Sequence, residues 1–136
     1  MQFNEQAVRW WIEELESGEY PQTTGYLHRT EVSEDGIYSQ KQGLCCLGVA
    51  CLTAIKHGVE LRVEEDDEEG IITYDGESGT LPDAVVEFLG LEPGDSDPVI
   101  GDYEATVLND ENVYSLAEIA REIRRHWLDE DVPPAL

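Results

Sequence analysis

Basic residues are scarce in this chain, and lysine is the scarcest of them. The 136 residues include 31 acidic and 8 basic side chains, for a formal net charge of −23, and the lysines are Lys41 and Lys56 alone. This charge repels nucleic acid phosphates and anionic membrane surfaces, and so excludes direct binding to either. Acidic residues occur in nearly every segment, which favours adaptation to high salt. A mimic of DNA, with carboxylates in rows on one face, is the alternative.

Long apolar runs and a secretory signal are also missing. The N-terminal MQFNEQAVRWW has neither a basic start nor an apolar stretch, so it does not match a signal peptide. The longest apolar region, residues 44–55, is shorter than the roughly 18 residues of a transmembrane helix and fits a buried helix instead. Because the cysteines are clustered and no signal precedes them, the sequence predicts a protein of the reducing cytoplasm that does not enter a membrane.

The motifs of common enzymes and metal sites are absent as well. The chain contains no phosphate-binding loop, dinucleotide fingerprint, G-x-S-x-G turn or calcium loop. Its histidines, His28, His57 and His126, are not paired at the spacing of zinc ligands, and neither are its cysteines. The sequence therefore predicts no metal site and no cofactor, and it favours a protein without enzymatic activity.

All three cysteines lie in one stretch, GLCCLGVAC, at residues 43–51. Cys45 or Cys46 would stand at a helix N-terminus, where the helix dipole favours a thiolate, so both are candidate catalytic nucleophiles. A general base is poorly placed for either, because His57 ends the same predicted helix, about 15 Å away, and His126 lies on the last helix. We favour the other interpretation, in which the cysteines are small hydrophobic residues that pack a central helix.

Hydrophobic periodicity predicts four helices and a small antiparallel sheet of short strands, and hence the α+β class. The first predicted helix begins after a cap at Asn4 and ends at Gly18. The other three are predicted over 44–57, 80–89 and 115–127. Capping-box patterns mark the start of the last two. The second helix is apolar on nearly all sides, so we expect it at the centre, with Gly48 allowing a neighbour to approach closely. Strands are predicted at 26–32, 37–40, 59–63, 71–74 and 103–108. Turns or loops are predicted at 34–36, 64–69, 92–102 and 109–112. The pattern indicates one domain over residues 1–128 and a loose tail at 129–136.

Two polar segments are candidates for a ligand site. The segment 20–29 combines aromatic, amide, hydroxyl, imidazole and guanidinium groups near a glycine turn, a mixture suited to a small anionic or nucleotide ligand. Its candidate residues are Tyr20, Gln22, Thr23, His28 and Arg29. Asn109 and Asp110 are candidates at a strand end. For both segments we favour the structural alternative, a turn stabilised by its own polar side chains.

Several motifs follow one another along the chain: the Trp11 helix with SGEYPQ at 17–22, GYL at 25–27, CCLGVAC at 45–51, LP through LGL over 81–91, and LND with SLAEIA over 108–120. Together they resemble a family of small uncharacterised proteins of tailed bacteriophages and prophages. The resemblance implies a viral or prophage origin and, with the acidity, a virus of a salt-loving host. It implies no activity and no catalytic residues. Members often carry an acidic residue directly after the third cysteine, where this chain has Leu52.

These observations lead to three functional hypotheses. The favoured one is a small acidic accessory protein of the host cytoplasm that binds a host protein or a component of host defence. The second is a protein that binds or sequesters a small molecule, such as a nucleotide signal, through residues 20–29. The third is a cysteine-dependent hydrolase that uses Cys45 or Cys46. The sequence does not determine the oligomeric state.

Overall fold

The structure, a computed structural model, describes residues 3–32, 38–66, 70–111 and 114–132. Within these ranges it contains five helices and six short strands, and its class is α+β, as the sequence predicts. The helices are α1 (Glu5–Glu16), α2 (Cys46–Lys56), α3 (Asp83–Phe88), α4 (Ala105–Asp110) and α5 (Leu116–His126). The strands are β1 (His28–Val32), β2 (Tyr38–Leu44), β3 (Val63–Glu65), β4 (Ile71–Tyr74), β5 (Val99–Ile100) and β6 (Tyr103–Glu104). None of these helices is both long and apolar enough to cross a membrane.

The first and last helices begin where local sequence signals place them. Asn4 caps α1, and its Oδ1 accepts a hydrogen bond from the Ala7 N–H at 3.2 Å. Ser115 and Glu118 form the predicted capping box of α5, in which each side chain accepts a hydrogen bond from the other residue's N–H, at 3.0 and 2.9 Å. Both helices bury the apolar stripes that their spacing predicts, and they pack against each other.

Helix α2 is the buried centre of the molecule, as its apolar composition predicts. It packs against α1, α3, α4 and β2, and eight of its eleven residues are buried. The expected close approach at Gly48 is confirmed, because a Cβ atom added there would lie 1.8 Å from the Leu27 carbonyl oxygen. The same oxygen accepts a hydrogen bond from the Cys45 N–H at 3.0 Å. Backbone therefore packs directly on backbone where α2 begins.

The main sheet has four antiparallel strands in the order β2-β1-β4-β3. His28 of β1 stands between Leu44 of β2 and Ile72 of β4, so β1 lies in the interior of the sheet. Gln22 adds a short parallel bridge to Leu44, which places the 20–23 turn beside the start of α2. The strands β5 and β6 form a separate two-stranded hairpin.

Two predicted features, the capping box at 80–83 and the strand at 103–108, do not form as predicted. The predicted capping box at 80–83 does not form, because Pro82 is the N-cap of α3 and makes no side-chain cap bond, while the Thr80 hydroxyl donates to Glu77 instead. The predicted strand at 103–108 is only two residues of strand, followed by α4. The buried residues Ala105, Leu108 and Asn109 follow helical spacing, which gives a fifth helix where four were predicted.

Several element boundaries also differ from the prediction, among them the start of α3, which lies at Asp83 and not at residue 80. Leu44 ends β2 and does not begin α2, because its N–H and carbonyl bond to Pro21 and Thr23 in a strand-like manner. Strand β3 begins only at Val63, because the Val59 N–H still bonds to the Ala54 carbonyl at the end of α2. The predicted loop at 92–102 contains β5. The predicted turn at 34–36, and parts of those at 64–69 and 109–112, lie outside the described residues, as do residues 133–136 of the predicted tail.

Contacts between the two ends of the described chain close the fold. The Phe3 ring, ahead of α1, packs against Trp127, just after α5, with ring centroids 5.7 Å apart. Glu130 accepts from Arg9 of α1 at 3.1 Å and from Arg124 of α5 at 3.0 Å. Arg124 also holds Glu16 of α1 through two hydrogen bonds, at 2.7 and 3.2 Å. The segment after α5 is therefore held against both helices.

Replacing Gly48 with alanine should destabilise the protein strongly, because the new Cβ would collide with the Leu27 backbone and could not be accommodated by a side-chain movement. We expect the free energy of unfolding, measured by urea denaturation, to fall by about 3 kcal/mol or more. Gly79→Ala is the matched control. The nearest atom to its Cβ would be 4.0 Å away, so its stability should stay the same or rise by about 0.5 kcal/mol. Equal stability of the two variants would contradict the close packing.

Candidate functional site

The buried side chain of Asn109 joins three segments that are far apart in sequence. Its Oδ1 accepts from the Gln22 Nε2 at 2.9 Å and from the Cys46 N–H at 3.1 Å. Its Nδ2 donates to the Thr23 carbonyl at 2.9 Å and to the Asp110 carboxylate at 2.7 Å. The structure thus brings together four of the predicted ligand-site residues, Gln22, Thr23, Asn109 and Asp110, in what we call the Asn109 junction.

The Asn109 junction uses the hydrogen-bonding capacity of its central residue in full. An asparagine side chain offers two donor hydrogens and two acceptor lone pairs, and all four are engaged with protein atoms. Asn109 is fully buried, and its bond to the Cys46 N–H satisfies a donor in the first turn of α2. The side chain therefore crosslinks distant segments of the fold.

The other predicted ligand-site residues have partners of their own. The Tyr20 hydroxyl donates to Glu14 at 2.8 Å and accepts from Lys56 at 3.0 Å, while Lys56 also donates to Glu14 at 2.8 Å. Two hydrogen bonds raise the pKa of Lys56, and the one to Glu14 has a larger effect than the one to Tyr20. This group of three side chains ties the 17–22 turn to α1 and α2.

His28 and Arg29 follow each other along β1 and serve different contacts. His28 is buried, and its Nδ1 lies 2.7 Å from the hydroxyl of Tyr74, whose pKa is raised by burial. The exposed Arg29 places its guanidinium 5.3 Å from the centre of the Tyr26 ring. Neither contact is part of the Asn109 junction, so the candidates of segment 20–29 are divided among four places.

A shallow cavity of about 230 Å³ lies beside Tyr20 and Gln22. It opens between the end of α1, where Leu15 and Glu16 line it, and the first turn of α5, where Leu116 lines it. Two of the predicted ligand-site residues, Tyr20 and Gln22, therefore border open space here. Its walls are mostly apolar, and the Glu16 carboxylate that lines it is already paired with Arg124, so a small neutral molecule suits it better than a charged one.

The three cysteine sulfurs lie in the core. Cys45 caps α2, and its Sγ accepts from the Gly48 N–H at 3.4 Å, while the Cys46 thiol donates to the Ala105 carbonyl at 3.6 Å. Burial raises the pKa of Cys45 to about 12, and it raises those of Cys46 and Cys51 as well. At this helix N-terminus the desolvation cost therefore exceeds the effect of the helix dipole, and the thiols stay protonated at neutral pH.

His57 and His126 make contacts with side chains other than these thiols. His57 follows the far end of α2 and is exposed, with its ring stacked on Trp10 at a centroid distance of 3.6 Å. His126 lies at the end of α5, 3.5 Å from Glu122. Among the described residues, no group of three or more His, Cys, Asp or Glu side chains is arranged to hold a metal ion.

Sequence reasoning missed an open groove of about 710 Å³ along α3. Asp83 and Glu87 line one side of it, and Val86, Leu91 and Pro93 provide the apolar surface. The spacing of the two carboxylates, one helical turn apart, was visible in the sequence, but the depth of the groove was not. It depends on the way residues 91–94 turn away from the end of α3.

We expect the Asn109 junction to stabilise the fold, and replacing Asn109 with alanine tests this expectation. The change leaves the buried Cys46 N–H and the Thr23 carbonyl without these partners, and each such group costs about 1–3 kcal/mol. We therefore expect the free energy of unfolding to fall by about 2–4 kcal/mol in urea denaturation. Asn4→Ala, which removes a single helix cap, is the control and should cost about 1 kcal/mol. An Asn109→Ala protein of unchanged stability would instead assign Asn109 to ligand binding.

The thiols should react with a chromogenic disulfide reagent only after the protein is unfolded. Because burial raises the pKa of Cys45 from 9.0 to about 12, we expect slow labelling of the native protein at about pH 7 and still at about pH 9.5. The protonated Cys45 thiol makes its full contribution to the free energy of unfolding below about pH 9. This contribution is lost as the pH rises toward about 12. The rate of labelling in guanidinium chloride, where the protein is unfolded, is the reference. A thiol of the native protein that reacted at neutral pH as fast as in the unfolded protein would restore the hypothesis of a catalytic nucleophile.

Comparison with known proteins places the chain in a family but transfers no function. The model of a domain of unknown function, DUF8296, matches residues 3–126, a range that includes all five helices of the described structure and both sheets. Neither the curated proteins nor the solved structures give a match. Since the family model spans most of the chain, this protein belongs to the DUF8296 family.

Proposed function

We propose that this protein is a small acidic accessory protein that acts by binding a basic surface of another protein. The observation that carries the proposal is the distribution of unpaired charge. The ion pairs of the described residues engage Glu5, Glu14, Glu16, Glu64, Glu122 and Glu130. Exposed carboxylates such as Asp83, Glu87, Glu92 and Glu111 have no ion pair among the described residues. The protein therefore presents many unpaired negative charges to a partner.

The interior offers little support for catalysis by comparison. The sulfurs of the candidate nucleophiles are buried and protonated, and the amide of Asn109 is fully engaged. A partner with a cationic surface gains both complementary charge and a faster approach from the field of the net charge of −23. Binding without turnover is the function that this arrangement favours.

The proposed setting is the host cytoplasm during infection by a virus of a salt-loving host. Its support is the resemblance of the sequence motifs to phage proteins, together with the acidity. Acidic residues occur in every helix of the described chain except α2, the helix that is buried. A surface that is acidic on all sides suits high salt, where the self-repulsion of the carboxylates is screened. The proposed partner is a host protein or a component of host defence.

Carbodiimide crosslinking in host extract tests this proposal directly. A carbodiimide joins carboxylates to amines, and this chain has 31 acidic residues and two lysines, so it should link to the lysines of a partner and rarely to itself. The partner is identified by mass spectrometry and purified. Binding is then titrated at about 0.1 M and about 1 M salt, with and without duplex DNA.

Each result of that titration has a defined meaning. A saturable complex with a basic protein supports the proposal, and its displacement by duplex DNA would identify the protein as a DNA mimic. The proposal is overturned if no saturable complex forms at either salt concentration. It is also overturned if the protein turns over a defined substrate and a single substitution abolishes that turnover.

A second candidate function is supported by the cavity beside Tyr20 and Gln22. Two predicted ligand-site residues line it, so a small-molecule binding protein is the alternative. Native mass spectrometry of protein purified from its host separates the two candidates. A chain with additional mass, released on unfolding, favours the small molecule, whereas a bare chain with three free thiols favours the protein partner.

A further inference from the structure

We propose that the groove along α3 binds an arginine or lysine side chain of a basic partner segment, an inference that rests on the proposed function. Two exposed carboxylates and an apolar floor border the same open volume of about 710 Å³. That volume exceeds a single side chain, so the groove has room for an arginine or lysine and the backbone on either side of it.

The charged side of the groove is formed by one face of α3. Asp83 and Glu87 are four residues apart, which places both carboxylates on the same face, one turn from each other. Both are exposed, and neither makes an ion pair with a described residue. None of the described residues that line the groove is basic. An incoming guanidinium or ammonium group would therefore meet two carboxylates that have no ion-pair partner among the described residues.

The apolar side of the groove explains why a long cationic side chain fits better than a small cation. Val86 and Leu91 are nearly buried, at 2% and 7% exposure, and with Pro93 they form a surface without polar side-chain atoms. Gly90 and Gly94 add no side chain, and a Cβ at Gly94 would have no atom within 4 Å, so the groove stays open at that end. Arginine and lysine carry an aliphatic stem below the charge, which matches an apolar floor beneath an acidic rim.

High salt weakens the attraction of the two carboxylates for a cation but leaves the apolar contact of the side-chain stem in place. Molar salt screens an exposed ion pair at a few ångströms, but burial of the aliphatic stem against Val86 and Leu91 is not weakened by screening. A groove of this composition therefore retains affinity for a basic side chain where an acidic surface alone would lose it.

The test uses the intact protein and a defined peptide probe. Acetyl-Leu-Arg-Leu-amide is titrated into isotopically labelled protein, and amide chemical shifts are followed at about 0.1 M and about 1 M salt. We expect the largest shifts at Val86, Glu87, Gly90 and Gly94. The same peptide with citrulline, which is neutral and similar in shape to arginine, should bind roughly fivefold more weakly.

A charge-matched pair of double variants separates the groove from the general field of the protein. D83N with E87Q should raise the dissociation constant of the arginine peptide roughly fivefold. D102N with E104Q, which removes the same charge from the exposed β5-β6 hairpin, should leave the constant within about twofold. Equal effects of the two double variants, or shifts spread over all acidic segments, would overturn the inference.

The partner complex distinguishes the failure of this inference from failure of the proposed function. If the D83N and E87Q protein binds the purified partner as tightly as the unchanged protein does, the groove is not the docking site and the binding function stands. If no partner complex forms with the unchanged protein, the proposed function fails. Crosslinks from partner lysines to Asp83 or Glu87 would support both together.

Discussion

A helix that is buried on almost every side has no water with which to satisfy the N–H groups of its first turn. Helix α2 is in this position, and the rest of the structure is arranged around the start of that helix. Asn109 supplies an acceptor for the Cys46 N–H, and the Cys45 sulfur supplies a weaker one for Gly48. The Leu27 carbonyl lies against the same turn, where the absence of a side chain at Gly48 lets the backbones meet. Strand β1, α4 and the 20–23 turn are thereby positioned relative to one helix end.

This arrangement places the most recognisable part of the sequence in the interior. The CCLGVAC segment resembles a reactive motif when it is read alone, because clustered thiols and a helix N-terminus are the components of a nucleophile. In the fold, desolvation raises the thiol pKa values, and the nearby polar side chains bond to one another. The proposed recognition takes place at the surface instead, where carboxylates without ion-pair partners among the described residues border an apolar groove on α3. Under this proposal, packing and binding use different parts of the chain.

Most features that the sequence predicts depend on neighbouring residues, although one local signal, the capping box at 80–83, does not form. Several features that it misses depend on distant residues. The caps at Asn4 and Ser115 and the apolar stripes of α1 and α5 are local, and they are confirmed. Residues 103–108 contain β-branched side chains and suggest a strand, but burial of Asn109 at helical spacing favours α4. Gln22 and Asn109 were each singled out, yet their contact spans 87 residues and no local pattern encodes it. The depth of the α3 groove likewise arises only when the following loop is in place.

The contact between Phe3 and Trp127, with the ion pairs of Arg9 and Glu130, brings the two ends of the described chain to one side of the molecule. A domain whose ends are neighbours can be inserted into a surface loop of another protein, because no long linker is needed to connect the two chains. For the same reason the described part of the chain is suited to circular permutation. Its order of elements is thus less constrained than its three-dimensional arrangement.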